Sequence, residues 1–122
     1  MCGKNFLVYS GTDAINLDSL IEGAQGVISV TANVAPRKMH DFCKSYFSGE
    51  SYSAEKIHKE LMPLHKALFL QGNPIPVKWA LQTMGMIEEG IRLPLIPLEQ
   101  QYHPELSEAL TAVGILSQET QI

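Results

Sequence analysis

Two short apolar runs, each followed by a turn and then by apolar residues at helical spacing, constrain the fold of this chain more than any other feature. Phe6-Leu7-Val8-Tyr9 runs into Ser10-Gly11, and Val27-Ile28-Ser29-Val30 runs into Thr31-Ala32-Asn33. A strand with one face in water alternates polar and apolar residues. A strand without alternation is expected to be buried on both faces, as in a parallel sheet covered by helices. After the first run, Thr12 or Asp13 can cap a helix carrying Ala14, Leu17, Leu20, Ile21 and Ala24, punctuated by Gly23 and Gly26. After the second, Pro36 suits a first helical position, and Met39, Phe42, Cys43 and Tyr46 form an i, i+3, i+4, i+7 stripe closed by Gly49. Residues 1–50 therefore read as two βα units of an α/β fold.

From Ser51 the strand pattern stops and residues 51–122 read as a helical region. Ala54, Ile57, Leu61, Leu64 and Leu68 mark an amphipathic helix that Pro63 is expected to kink or divide. Asn73-Pro74-Ile75-Pro76 predicts a rigid turn, with helical spacing resuming over residues 77–84. Leu93-Pro94-Leu95-Ile96-Pro97-Leu98 predicts an extended segment lying on a core, since each proline lacks the N–H a sheet needs. Pro104 opens a last helix with Leu106, Ala109, Leu110 and Val113 on its buried side, and residues 117–122 read as a frayed tail.

Composition excludes several classes. The chain has 122 residues, 45% of them hydrophobic and 18% charged, enough apolar material for a core and too little charge for disorder. Nine Lys+Arg against 13 Asp+Glu leave a net charge of −4 and no basic block to neutralise phosphates, which argues against nucleic acid. No apolar run approaches the ~20 residues needed to cross a bilayer, so no membrane role is expected. Cys2 and Cys43 lie outside any Cys-x-x-Cys spacing and no signal-type apolar region follows Met1, making the cytoplasm the default location.

Few residues offer themselves for chemistry. His58 and His65 are seven apart and share a helix face if Pro63 allows it, but no His-x-x-x-His or carboxylate cluster accompanies them, so the structural reading outweighs metal. Cys43 sits in an apolar stripe, where a thiol behaves as a small hydrophobe. Lys78, beside Trp79, is a conceivable Schiff-base amine, yet it lies in the helical region. In α/β barrels reactive groups project from the C-terminal ends of strands, which directs attention to Ser10, Gly11, Thr12 and Asp13 and to residues 28–33. Serine, threonine and aspartate there are equally at home as helix caps.

Four runs taken together carry a resemblance. Tyr9-Ser10-Gly11-Thr12-Asp13, Gly26-Val27-Ile28-Ser29-Val30-Thr31-Ala32-Asn33, Asn73-Pro74-Ile75-Pro76-Val77-Lys78-Trp79-Ala80 and Arg92-Leu93-Pro94-Leu95, in this order, resemble the C-terminal part of dihydrodipicolinate synthase, also called 4-hydroxy-tetrahydrodipicolinate synthase. The resemblance extends over about residues 6–116. It implies that the two apolar runs are the seventh and eighth strands of a TIM (β/α)8 barrel and that residues 51–122 are its helical C-terminal appendage. It also implies a lyase that condenses pyruvate with aspartate 4-semialdehyde in the diaminopimelate and lysine pathway, through a lysine Schiff base and without metal or organic cofactor. Such enzymes are homo-oligomers.

Matched residue by residue, the resemblance implies substrate-side roles for three positions only. The main-chain carbonyl of Ile28 corresponds to one bordering bound pyruvate, and Gly11 and Asn73 to residues near the second substrate. The Schiff-base lysine, the tyrosine relay with its threonines and the carboxylate-binding arginine belong to earlier parts of the barrel, and Lys4 does not stand at the corresponding place. A complete barrel takes ~250 residues. The expectation is thus a C-terminal portion that is inactive alone, whether as an incomplete sequence, an interrupted gene or one half of a split enzyme completed by an N-terminal half in trans. The competing expectation is a non-catalytic interaction module that uses its strand edges to bind a full-length barrel.

Overall fold

The computed structural model describes residues 3–117. The order of elements follows the sequence pattern. Strand β1 (Tyr9–Ser10) leads through a 3-10 turn (Asp13–Ile15) into α1 (Asn16–Ile21). Strand β2 (Gly26–Val27) leads through a second 3-10 turn (Thr31–Asn33) into α2 (Pro36–Phe47). Three helices follow: α3 (Ser51–Ala67), α4 (Ile75–Thr83) and α5 (His103–Ala112). The residues expected to form the frayed tail lie, beyond Ser117, outside those described.

The strands pair in parallel, with Tyr9 opposite Gly26 and Ser10 opposite Val27. The Val8 carbonyl accepts from the Gln25 amide at 2.8 Å and the Ser10 carbonyl from the Ile28 amide at 2.7 Å. Gly26 suits the close approach of the strands, since a Cβ there would stand 3.1 Å from the Tyr9 ring, which would have to shift by a few tenths of an ångström. Each strand shares only one residue with its apolar run, Tyr9 in β1 and Val27 in β2, and the first run is not buried: Phe6, Leu7, Val8 and Tyr9 are each at least half exposed, and Ile28 is 72% exposed. The sequence reading expected cover on both faces. A sheet of two strands has no third strand to extend against, and among the described residues no helix covers this face.

Helix packing builds the core. Pro36 occupies the first turn of α2, and Gly49, at φ +84°, ends the segment as only glycine does without strain. Met39 and Phe42 of α2 are buried against α3, whose Ala54, Leu61 and Leu64 are fully inaccessible. Leu106 and Leu110 of α5 close the other side of α3. Pro63 neither divides α3 nor ends it: the helix is continuous over 17 residues, and Pro63 is exposed on it. The turn expected over residues 73–76 is shorter than predicted, because α4 begins at Ile75 and takes Pro76 into its first turn, where no N–H is missed. The proline-interrupted segment forms neither helix nor strand; Leu98 is buried, whereas Leu93 is exposed. Ile21, expected on the buried side of α1, faces outward.

Candidate functional site

The rim formed by the C-terminal ends of β1 and β2 carries the residues singled out from sequence. Gly11 directly follows β1 and is exposed; Ile28 directly follows β2, its amide tied to Ser10 across the sheet. The parallel register therefore brings these two together. Asn73 comes from elsewhere in the chain: it is exposed, precedes a cis bond to Pro74, and stands at the start of α4, which packs on the Thr31–Asn33 turn. Thr12 is exposed and caps nothing with its side chain.

Beneath the exposed rim lies a buried polar brace centred on Asp13. The aspartate does not cap its own helix. One carboxylate oxygen, Oδ2, accepts from the amides of Val30 (2.9 Å) and Thr31 (3.0 Å), and Oδ1 accepts from the Asn16 side-chain amide (2.8 Å). Asn16 in turn accepts from the Ser10 hydroxyl at 2.8 Å, so the end of β1 and the turn after β2 are joined through side chains. The Ser29 hydroxyl accepts from the Ala32 amide at 3.0 Å and secures the same turn. Asp13, Asn16, Thr31 and Ser10 are all buried. Burial raises the Asp13 carboxyl, but hydrogen bonds from Ser29, the Thr31 amide and Asn16 outweigh it and hold the group below its ordinary value.

The two histidines of α3 lie against this brace. The Thr31 hydroxyl and Nδ1 of His65 are 2.7 Å apart, and His65 is 2% exposed. Burial pushes the His65 imidazole down to about 4 against the opposing charge of Asp13, with His58 adding to the depression. His58 lies on the same face of α3, its ring 5.7 Å from that of His65 and 5.6 Å from that of Phe42. Burial lowers its pKa too, against Asp18, a bond to the Ala14 backbone and Asp13. Its Nδ1 is buried without a partner. The pair is therefore neutral at pH 7 and packs α3 under the strand ends. Among the described residues no group of three or more His, Cys, Asp or Glu side chains is placed to hold a metal.

The remaining candidates stand apart. Cys43 is half-buried, and burial pushes its thiol up, away from reactive thiolate. Lys4 is exposed ahead of β1. Lys78 is half-buried in a cleft of about 480 Å³ between α4 and residues 89–98, where Trp79 stacks on His103 at 4.6 Å. No helix among the described residues is long and apolar enough to cross a membrane.

Sequence reasoning located the rim but not its brace. His65 carried no signal as the partner of Thr31, because that pairing runs between a turn and a helix 34 positions apart, and the bonds to Asp13 from the Val30 and Thr31 amides cross from one strand end to the other. Chemically the rim presents backbone and glycine, while its serine, threonine and aspartate side chains are largely consumed in holding the turn.

Comparison with known proteins sets this arrangement in a family. Residues 1–113 match the model of the dihydrodipicolinate synthetase family. The chain is 54% identical over 115 residues to 4-hydroxy-tetrahydrodipicolinate synthase of Pseudomonas aeruginosa, covering 94% of this chain and 39% of that one. It is 52% identical over 109 residues to the synthase of Marinobacter nauticus, with 89% and 37% covered. Among solved structures, dihydrodipicolinate synthase of Thermotoga maritima superposes with a TM-score of 0.89 at 46% identity, over 92% of this chain and 38% of that one. The Acinetobacter baumannii enzyme, solved in complex with pyruvate, gives 0.87 at 45% identity over 91% and 38%. The chain thus spans about two fifths of the length of the relatives it matches. With residues 1–113 matched by the family model, the chain belongs to the dihydrodipicolinate synthetase family.

Proposed function

We propose that this chain is the C-terminal part of a 4-hydroxy-tetrahydrodipicolinate synthase. In this reading residues 1–50 are the last two βα units of a (β/α)8 barrel and residues 51–122 its helical appendage. The complete enzyme condenses pyruvate with aspartate 4-semialdehyde. A lysine amine adds to the pyruvate ketone and water leaves, giving an iminium; loss of a methyl proton gives the enamine, whose carbon attacks the aldehyde. The portion in hand contributes the pocket wall: the Ile28 carbonyl on the pyruvate side, and Gly11 and Asn73 on the side of the second substrate. Asp13 holds the turn that follows Ile28 through the Val30 and Thr31 amides.

The observation that carries this reading is that Gly11 and Ile28 each directly follow one of two parallel paired strands, on one strand-end rim, in a chain 54% identical over 115 residues to the Pseudomonas aeruginosa synthase. The amine does not come from these 122 residues: Lys4 is exposed ahead of β1 and Lys78 lies in the cleft beside α4. Borohydride reduction in the presence of pyruvate, followed by intact mass, tests the assignment. The isolated chain is expected to gain no mass, whereas the chain joined to the preceding portion of a relative gains one reduced pyruvate per active site. An adduct on Lys4 or Lys78 of the isolated chain would overturn the division of labour.

A further inference from the structure

Helix α3 meets the two strand-end turns through its histidines. His58 bonds to the Ala14 backbone in the turn after β1, and His65 reaches the turn after β2, where its Nδ1 stands 2.7 Å from the Thr31 hydroxyl. The second contact fixes a tautomer. Thr31 is fully inaccessible, so its hydroxyl hydrogen has no water to reach, and among the described residues the acceptor beside it is that Nδ1. A proton on Nδ1 would leave the hydroxyl hydrogen unpaired in a buried site, which is costly, so the hydroxyl donates and the imidazole carries its proton on Nε2. The bond holds the segment that follows Ile28. The Ile28 amide is tied to the Ser10 carbonyl at 2.7 Å, and the amides of Val30 and Thr31 are tied to one oxygen of Asp13 at 2.9 and 3.0 Å. Those bonds fix the segment to the other strand end. The Thr31 hydroxyl instead fastens it to a 17-residue helix packed against α2 and α5.

We infer that His65 is a positioning residue for the pyruvate side of the site: by accepting the Thr31 hydroxyl hydrogen it anchors the turn that aims the Ile28 carbonyl. The inference rests on the functional reading above and deepens it by giving a helix outside the two βα units a share in substrate placement. A backbone carbonyl bordering a substrate acts through its position alone, and a misplacement of about 1 Å can cost about 100-fold in rate. The effect is confined to one side of the pocket. Gly11, on the side of the second substrate, lies at the end of the other strand, away from the segment that Thr31 anchors.

The test has two arms. Nitrogen NMR of the isolated chain, which needs no activity, is expected to place the His65 proton on Nε2; a proton on Nδ1 overturns the inference. The second arm joins the chain to the preceding portion of the Pseudomonas aeruginosa synthase and measures kcat/KM for each substrate. Where a covalent intermediate forms with the first substrate before the second enters, the two ratios report the two halves of the reaction separately. Thr31→Val keeps the shape of the side chain and removes the donor, and His65→Leu removes the acceptor. Each is expected to lower kcat/KM for pyruvate at least about threefold and to leave that for aspartate 4-semialdehyde unchanged. The double variant should lose no more than either single one, and His65→Asn, which keeps an acceptor atom near the place of Nδ1, should recover most of the loss. Leu64→Ala, fully buried on the same helix, loosens packing without touching the bond and should move neither ratio below its melting temperature. Equal falls in both ratios would reduce His65 to a structural role and overturn the inference, as would additive losses in the double variant or unchanged pyruvate kinetics in both single ones. A joined chain that traps no pyruvate under borohydride would overturn the functional reading on which the inference rests.

Discussion

The two parts of this molecule use their apolar residues in opposite ways. In the helical part, Leu61, Leu64, Leu68, Leu106 and Leu110 are completely buried between α3, α5 and their neighbours. In the strand part, Phe6, Leu7, Val8 and Ile28, no less hydrophobic, face outward. A helix satisfies its own backbone and needs one apolar stripe covered, so helices can complete a core among themselves. A parallel strand needs neighbours on both edges and cover on both faces, which two strands cannot supply. Self-sufficiency is therefore a property of the helices, and dependence on further structure a property of the sheet.

Substitutions that remove matching amounts of hydrocarbon from the two parts break the comparison most sharply. Leu64→Ala is expected to cost about 2–5 kcal/mol in urea or thermal unfolding, because it opens a cavity in a filled core. Leu7→Ala in the isolated chain should change stability by no more than about 0.5 kcal/mol. Equal losses at the two sites would show that the strand run is already covered.

The brace at Asp13 joins the two parts, and its removal comes next in size. Asp13→Ala leaves the Val30 and Thr31 amides and the Asn16 side chain without their acceptor and should cost about 2–4 kcal/mol, measured by chemical unfolding. A loss near zero would mean that the strand end is held by the sheet alone.

Acid should loosen the same junction. The His65 imidazole is depressed to about 4 from 6.5, so between these values the unfolded chain binds the proton and the folded chain does not. Stability is then complete above about pH 6.5 and falls as pH drops toward 4. The lowered Asp13 carboxyl adds a further loss only below its ordinary value of 3.8. Melting temperature followed from pH 7.5 to 4.5 should decline in the native chain and decline less steeply in His65→Gln, where His58, also lowered by burial, still contributes. A decline unchanged by that substitution would remove His65 from the account.

The smallest effect belongs to the surface. Lys38 and Glu60 pair at 3.5 Å between α2 and α3, with about two fifths of each side chain exposed. Glu60→Gln should alter stability by less than about 0.5 kcal/mol, and added salt should erase the difference. A larger loss would mean that this pair, and not only the apolar seam, holds α2 to α3.

Much of this was legible in residue order. The stripe of Met39, Phe42, Cys43 and Tyr46 gave α2, with Pro36 and Gly49 at its limits, and the Leu61, Leu64 and Leu68 spacing gave α3. The parallel pairing of β1 with β2 followed from the absence of alternation. Where reading went astray, a local rule met a tertiary answer. Pro63 marks a break in isolated helices, but α3 carries it within a helix packed against both α2 and α5. The Asp13 carboxylate reads as a cap for the helix beside it and is instead committed to a turn 17 residues away.

Sequence by itself determined the order of strands and helices, the apolar side of α2 and α3, and, through four ordered runs, the family to which the chain belongs. These depend on periodicity and local backbone preference, which neighbouring residues suffice to set. Tertiary structure alone decided what each apolar side meets and where each buried polar group finds its partner. That is why Leu64 is enclosed while Leu7 is open, and why Asp13, Thr31 and His65 form one brace. Burial and hydrogen bonding are properties of pairs brought together in space, and the periodicity of one segment carries no record of the other.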